Sequence, residues 1–549
     1  MTNPARGATR ELLGLLRPFW FIVTVSILLG GLAGLSVTSL LATINSALNT
    51  DEGMSRGVAL LFAGLCLLAI LSSIFSDIGS HYVGQQIIAK LRKELGGKVL
   101  SAPIEQLERF RSHRLIPVLT HDVDTISDFA FTFASLAISL SITLGCLFYL
   151  ATLSVPIFLM VLAAVVIGVP VQYWASAKGI KGFDDAREEE DVLQKHYSAI
   201  ADGAKELRIH RPRRQRMLID KIQATADRIC ALQIKSVNTF IIARSFGSML
   251  FFVVIGLAIA LQAIWPSADK AAMSGFVLVL LYMKGPLEHL LGTLPTVNRA
   301  RIAFHRIMQL SEQFSSPEPH LLSHDAEVRK QPVQSIELCN VRYDYPAVSG
   351  GNPFSLGPVN LKIEQGDIVF IVGENGCGKT TLIKLLLGLY SPQSGEVRLN
   401  GQAVQARDLD DYRQSFTTVF SDYHLFDDLI QANPTLPVDV SQYLERLEIA
   451  HKVSIHEGNF STTDLSTGQR KRLALVNAWL EERPVLVFDE WAADQDPTFR
   501  RIFYTELLPD LKRLGKTIIV ISHDDRYFDI ADQLVRMEAG QVMTHLQPA

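Results

Sequence analysis

Three glycines, a cysteine, a lysine and two threonines in the run GENGCGKTT, residues 373–381, carry the most readily named chemistry in this chain. Gly373, Gly376, Gly378, Lys379 and Thr380 satisfy the spacing G-x-x-x-x-G-K-[ST], and the run follows the apolar residues 368–372. Strand, bare loop and helix therefore succeed one another as that motif requires. Small residues let backbone N–H groups and the positive end of a helix come close to phosphate oxygens. Lys379 is then placed for β- and γ-phosphates and the Thr380 hydroxyl for magnesium. Glu374, Asn375, Cys377 and Thr381 complete the candidate nucleotide loop. Taken alone, the run could also be a glycine-rich turn with no chemistry.

Three further stretches weigh against that alternative. VLVFDE, residues 485–490, ends an apolar run in the pair Asp489 and Glu490; LSTGQRKRLAL begins at Leu465; IIVISHDD brings His523 to the end of another apolar run. A strand-end acidic pair or a single histidine is unremarkable by itself. Beside a phosphate loop, a carboxylate needs a metal ion to offset its repulsion from a polyanion. Phosphoryl transfer itself depends on positioning and charge stabilisation.

The elements that position these residues are those of an α/β domain. SIELCNVRYDYP and DIVFIVG have the β-branched and aromatic content of strands, and KTTLIKLLLGLY reads as a helix. This domain is expected over residues 333–549. Ahead of it, SSPEPHLLSHDAEVRKQP, rich in proline, serine and charge, predicts a linker at 315–332. Residues 1–314 are different in kind. The mean hydropathy of the chain is +0.21, and its long uncharged runs crowd residues 1–300. A bilayer core takes about 20 apolar residues to cross, and six runs qualify: about 18–42, 57–79, 129–152, 155–174, 239–262 and 271–294. The expected fold class is thus a multidomain membrane protein, a helical transmembrane half followed by an α/β phosphate-loop domain.

Lysine and arginine concentrate in cytoplasmic connections. Residues 80–128 hold Lys90, Arg92, Lys93, Lys98, Arg109, Arg111 and Arg114, and residues 175–238 carry Arg211, Arg213, Arg214 and Arg216. The connections near 45–56, 153–154 and 265–270 are short and nearly uncharged. Both termini, and the α/β domain, are therefore expected in the cytoplasm. The two basic connections keep helical periodicity and read as membrane helices prolonged into stalks; their arginines either form a solvated face or meet the second half of the chain. The first apolar run is too long for a signal segment and reads as a retained helix. A net charge of −4 gives no reason to expect nucleic acid as a partner. The five cysteines, odd in number and without metal spacing, indicate neither a disulfide framework nor a zinc site.

With the phosphate loop, LSTGQ, VLVFDE and IIVISHDD in this order, the chain resembles the ATP-binding cassette superfamily. The resemblance implies that Asp489 holds magnesium, that Glu490 is the general base, and that His523 contacts the γ-phosphate. It implies that Tyr345, in YDYP, stacks on adenine. It further implies that Ser466, Gly468 and Gln469 belong to a signature turn reaching the nucleotide of an opposite subunit, so the site is complete only in a homodimer. ATP and Mg²⁺ are the implied cofactors.

The chain departs from the cassette pattern at three places. VFSDYHLF has Ser421 where a glutamine is usual, followed by Asp422; Thr467 replaces the usual signature glycine; WAADQD follows where PTSALD is common. Ser421 and Asp422 are accordingly candidates for metal or water contact. One six-span half with GENGCGKTT, VFSDYHLFD and DEWAADQDP resembles the bacterial cyclic-peptide and siderophore-peptide exporters. That resemblance implies export of a peptide, a siderophore precursor of the pyoverdine kind, through the bacterial inner membrane, with the lipid bilayer as the other partner. Segments near 102–110 and 205–214 sit where this fold places its coupling helices. A lipid flippase of the same fold, or an ATP-driven sensor that moves no cargo, are the alternatives. Lys284 and Glu288 in the last run are either cargo contacts or partners of each other, four apart on one helix face.

Overall fold

The computed structural model describes residues 17–49, 55–109, 112–264, 270–314, 318, 321–322, 332–346, 353–427, 429, 440–456 and 458–546. Most of the expected linker at 315–332 lies outside the described residues, as does 265–269. The chain divides into two compact units, one of Met1–Leu100 with Arg109–Ser315, the other of Ser101–Glu108 with Ser316–Ala549.

The first unit is all helix. Its long members are Trp20–Leu48, Arg56–Leu100, Val123–Leu153, Val155–Asp202, Ala224–Ile264 and Lys270–Gly292, followed by Leu294–Gln313. Arg56–Leu100 has 45 residues and Val155–Asp202 has 48, far more than the roughly 20 a bilayer needs. The apolar runs thus continue into basic residues as far as Leu100 and Asp202, where the helices end. Among the described residues four helices are long and apolar enough to cross a membrane: Arg17–Leu48, Arg56–Leu100, Leu115–Leu153 and Arg211–Ala260. The runs expected at 155–174 and 271–294 fall in Val155–Asp202, which includes the shorter apolar stretch Phe158–Gly168, and in Lys270–Gly292; some side chains of each lie outside those described. The first holds Pro170 and the second Lys284, Pro286 and Glu288.

Small residues set the helix spacing in this unit, as they do where lipid removes the hydrophobic drive for helix association. A Cβ at Gly34 would stand 2.5 Å from Ser141 Cβ, and one at Gly145 2.5 Å from Thr38 Oγ1. Ser76 donates its hydroxyl to the Ser26 carbonyl at 2.7 Å, and Thr38 to that of Gly34 at 3.0 Å. Large apolar side chains such as Leu60, Leu67, Phe148 and Ile242 are exposed on the outside, the inversion expected of a surface solvated by lipid.

The second unit is built on a six-stranded sheet and a four-stranded one. The described residues form twelve strands: β1 Ser335–Asp344, β2 Ser355–Glu364, β3 Ile368–Gly373, β4 Ser394–Leu399, β5 Gln402–Ala403, β6 Phe416–Val419, β7 Ile455–His456, β8 Asn459–Phe460, β9 Val485–Asp489, β10 Thr517–Ile521, β11 Gln533–Glu538 and β12 Gln541–Leu546. The larger sheet has the order β12-β11-β3-β10-β9-β6, all parallel except β12. The residues of β9 and β10 are buried throughout, which is why these strands read as unbroken apolar runs rather than alternating ones. The antiparallel sheet β2-β1-β4-β5 alternates buried and exposed residues along β2. The register Ile371–Ile521–Asp489 sets the carboxyl ends of β3, β10 and β9 side by side, the edge where open α/β sheets bind ligands.

Candidate functional site

The phosphate loop, Asp489–Glu490 and His523 leave the sheet at that edge, after β3, β9 and β10. After β3 the chain turns through Gly373 at φ +154°, Gly376 at φ +83° and Gly378 at φ +107° into the helix Lys379–Leu386. Side chains are excluded here by contact as well as by φ, since a Cβ on Gly373 would lie 2.3 Å from the Met537 carbonyl oxygen. Lys379 is buried, and its ammonium donates to the carbonyls of Gly373 and Glu374 at 3.0 Å each. Glu374, Asn375 and Gly376 are exposed at the loop's crest. Cys377 is only 6% exposed, a free thiol inside the loop. Thr381 is buried and its hydroxyl meets that of Tyr345 at 3.1 Å. Tyr345 is half-buried and packs edge-on against Tyr343, ring centroids 5.1 Å apart.

Asp489 ends β9 and is 1% exposed. Its Oδ2 accepts from the Thr380 hydroxyl at 3.4 Å and the Ser421 hydroxyl at 3.3 Å, while its Oδ1 is buried with no hydrogen-bond partner. Burial, with the Glu490 carboxylate beside it, holds the Asp489 carboxyl above the usual range. A buried carboxylate with one unused oxygen and two hydroxyls on the other is a set of hard oxygen donors suited to Mg²⁺. Asp422, next to Ser421, is exposed.

Glu490 follows at φ +50°, ψ +34°. That left-handed conformation costs an L-residue about 1–2 kcal/mol and needs support from its neighbours. The side chain lies alongside His523, which follows β10 by two residues: His523 Nε2 to Glu490 Oε1 is 3.2 Å. Both line a cleft of about 390 Å³ with Asp524, Arg526 and Arg500. Arg526 clamps Asp524 at 2.8 and 2.7 Å; this hydrogen bonding, chiefly, holds the Asp524 carboxyl below its ordinary range.

Ser466, Gly468 and Gln469 stand apart from the loop. Ser466 caps the helix Thr467–Leu480, with Gln469 as the reciprocal member of a capping box, and Gly468 offers its carbonyl to Gln495 Nε2 at 3.0 Å. No hydrogen bond among the described residues joins these three to the phosphate loop. Single-sequence reading missed two groups. Lys471 and Arg472 look like part of a solvated charge run, yet residues 471–476 are all buried; the spacing of Lys471 with Leu475 and Ala478 on one helix face was the available signal. Glu108, in the segment near 102–110 that the resemblance marks as a coupling helix, accepts from Lys384 Nζ at 2.8 and 2.9 Å and from the Tyr390 hydroxyl at 2.5 Å, partners that no residue pattern displays. In the helical unit, Lys284 and Glu288 are 4.0 Å apart and the Lys284 ammonium stands 5.1 Å from the Phe252 ring centre.

A phosphate loop, a metal-suited aspartate and a glutamate–histidine pair at one sheet edge, on a chain with long apolar helices, define a membrane protein with a nucleotide-binding α/β unit. Residues 20–284 match the family described as ABC transporter transmembrane region and residues 356–493 that described as ABC transporter. The chain is 34% identical over 533 residues to the ATP-binding protein SyrD of Pseudomonas syringae pv. syringae, covering 95% of this chain and 94% of that protein. It is 24% identical to an ATP-dependent lipid A-core flippase of Paraburkholderia xenovorans, over 87% of this chain and 81% of the other. A solved structure of a bacterial Atm1-family ABC exporter with ATP bound shares the fold, with a TM-score of 0.75 at 17% identity over 96% of this chain and 95% of that one. The chain belongs to the ABC transporter family. It is an ATP-driven exporter whose second unit binds ATP and whose ATPase activity is coupled to transport.

Proposed function

We propose that two copies of this chain form a homodimer, with six membrane crossings each, that exports a peptide from the cytoplasm across the bacterial inner membrane, a siderophore precursor of the pyoverdine kind. The observation that favours this reading over the flippase is the resemblance of VFSDYHLFD and DEWAADQDP to the peptide exporters, while identity to the lipid A-core flippase is only 24%. A cavity of about 310 Å³ within the helical unit, lined by Val161, Val165, Phe251, Val254, Glu288 and Arg299 among others, is a mostly apolar space with one carboxylate and one guanidinium, also compatible with a lipid. The reading is tested by comparing cytoplasmic and periplasmic peptides in a deletion strain. A peptide precursor should build up inside, and purified protein should be stimulated by that peptide. Stimulation by lipid A and no peptide build-up would favour the flippase; hydrolysis with no transported species in vesicles would favour a sensor.

In this reading Lys379 and the N–H groups of residues 373–381 bind the phosphates, and Tyr345 meets the adenine. Glu490 takes the proton of the attacking water, and His523 orients Glu490 and the terminal phosphate. Ser466, Gly468 and Gln469 serve the nucleotide of the opposite subunit. Thr380, Asp489 and Ser421, with Asp422 beside them, would hold Mg²⁺, which neutralises phosphate charge when bound. The Ser421 hydroxyl holds the same Asp489 oxygen, Oδ2, that Thr380 does. Hydrogen bonds to a charged group are worth about 1.5–3 kcal/mol, so Ser421→Ala with Asp422→Ala should lower ATP hydrolysis and export by about tenfold or more. Unchanged rates at saturating ATP and Mg²⁺ would remove both residues from the site.

A further inference from the structure

Lys471 is 1% exposed, one turn into the helix Thr467–Leu480. A buried ammonium is kept only where it is paired and hydrogen-bonded. Its nitrogen donates to the Glu490 carbonyl oxygen at 3.0 Å and pairs with the Asp494 carboxylate at 2.7 Å. Its own carbonyl accepts from Trp491 Nε1 at 2.9 Å. Trp491 is fully buried, its ring stacked on Phe503 at 4.4 Å. Lys471 therefore holds the Glu490 carbonyl with its ammonium and the side chain of the next residue, Trp491, with its own carbonyl. On the other side of Glu490, its N–H donates to the Ile521 carbonyl at 3.3 Å. The left-handed backbone of Glu490 is thus held between β10 and Lys471, and that backbone aims the carboxylate at His523.

The same helix begins at the signature turn, and the WAADQD segment is tied to it. Gln495 donates to the Gly468 carbonyl and accepts from Arg472 at 2.9 Å, Asp496 accepts from Arg472 at 2.6 Å, and a Cβ on Gly468 would lie 2.8 Å from the Asp494 carbonyl oxygen. Asp494 and Gln495, two of the five positions at which WAADQD departs from the common pattern, make contact with Lys471 and Gly468. We propose that Lys471 is a positioning residue for the Glu490 of its own chain, and that through it the signature turn, engaged on one ATP of the dimer, sets the carboxylate that acts on the other. The inference rests on the reading of Glu490 as the general base and deepens it.

The test uses the full-length dimer in lipid nanodiscs. Lys471→Met should lower the single-turnover rate of ATP hydrolysis by about tenfold or more, with the affinity for a non-hydrolysable ATP analogue unchanged within twofold. Lys471→Arg, which keeps a buried cation, should recover most of the rate. Trp491→Phe, which keeps the ring and loses the N–H, should give a severalfold loss of the same kind, and stands in if the methionine variant does not fold. In two-tag mixed dimers, Lys471→Met should slow hydrolysis when it sits in the chain with intact Glu490. It should have no effect when it sits in the chain that also carries Glu490→Gln. Equal losses of rate and affinity, an effect only in the second arrangement, or a full rate in both Lys471→Met and Trp491→Phe would overturn the inference. The base reading fails separately, if Glu490→Gln itself keeps its rate.

Discussion

Glu490→Gln in the full-length dimer should hydrolyse ATP about 10³-fold more slowly than the native chain while binding it at least as well. The magnitude follows from what a positioned general base contributes, roughly 10²–10⁴-fold. Glutamine has the same shape as glutamate, and its amide oxygen can still face His523, now 3.2 Å from Glu490 Oε1. The strained backbone and its Lys471 and Ile521 hydrogen bonds are untouched, so the loss is one of proton acceptance. Affinity should hold or rise because Glu490 is the second of the two main influences, after burial, that lift the Asp489 carboxyl. Removing that negative charge favours ionised Asp489, the form that holds a cation, and lessens the repulsion felt by the phosphates. Phosphate release and retention of labelled ATP on the same preparation check both halves. A residual rate above a tenth of native would show that another group takes the proton.

How far the sequence announced this site depends on which forces place each residue. The phosphate loop is legible because its glycines are demanded locally: Gly373 cannot carry a side chain against Met537, and Gly378 opens the helix at φ +107°. The ends of β9 and β10 are legible because a doubly covered parallel strand is apolar throughout, so the first polar residues, Asp489 and Ser522, mark the edge. Lys471 was hidden because its burial is paid for by tertiary partners, Asp494 and the Glu490 carbonyl, that no local pattern displays. The strain at Glu490 was hidden for the same reason, a left-handed glutamate being held by neighbours 19 and 31 residues away. In the helical half, Pro170 and Pro286 lie inside the continuous helices Val155–Asp202 and Lys270–Gly292. Nothing local marks Ser101–Glu108 as part of the second unit. Its own residues, APIEQLE, are those of an ordinary short helix.

That segment carries the second large expected effect. Glu108 reaches Lys384 and Tyr390; Glu105 accepts from the Tyr343 hydroxyl at 2.8 Å; and the Ser101 carbonyl accepts from the Glu318 N–H at 2.9 Å. Burial and the hydrogen bond to Glu108 push the Tyr390 phenol up, so it stays a donor across the physiological range. Lys384 lies on the helix Lys379–Leu386, whose first residues are the phosphate-loop Lys379 and Thr380 and whose Thr381 meets Tyr345. A segment contributed by the N-terminal half is thus fastened, through Glu108, to the helix that opens at the phosphate loop. Exposed ion pairs contribute about 0–1 kcal/mol to stability, so the contact is too weak to matter much for folding. Its expected role is to carry motion, since ATP that moves the loop helix moves Glu108 with it. Glu108→Lys sets two ammonium groups against each other, a like-charge clash that costs several kcal/mol in a close interface. Export should fall at least tenfold while basal ATP hydrolysis stays within about threefold. Adding Lys384→Glu restores opposite charges and should bring back much of the export, though Tyr390 then faces a lysine. Transport and hydrolysis measured on the same proteoliposomes decide the matter. Parallel loss of both in the single variant, or no recovery in the double, would mean the contact only holds the fold together.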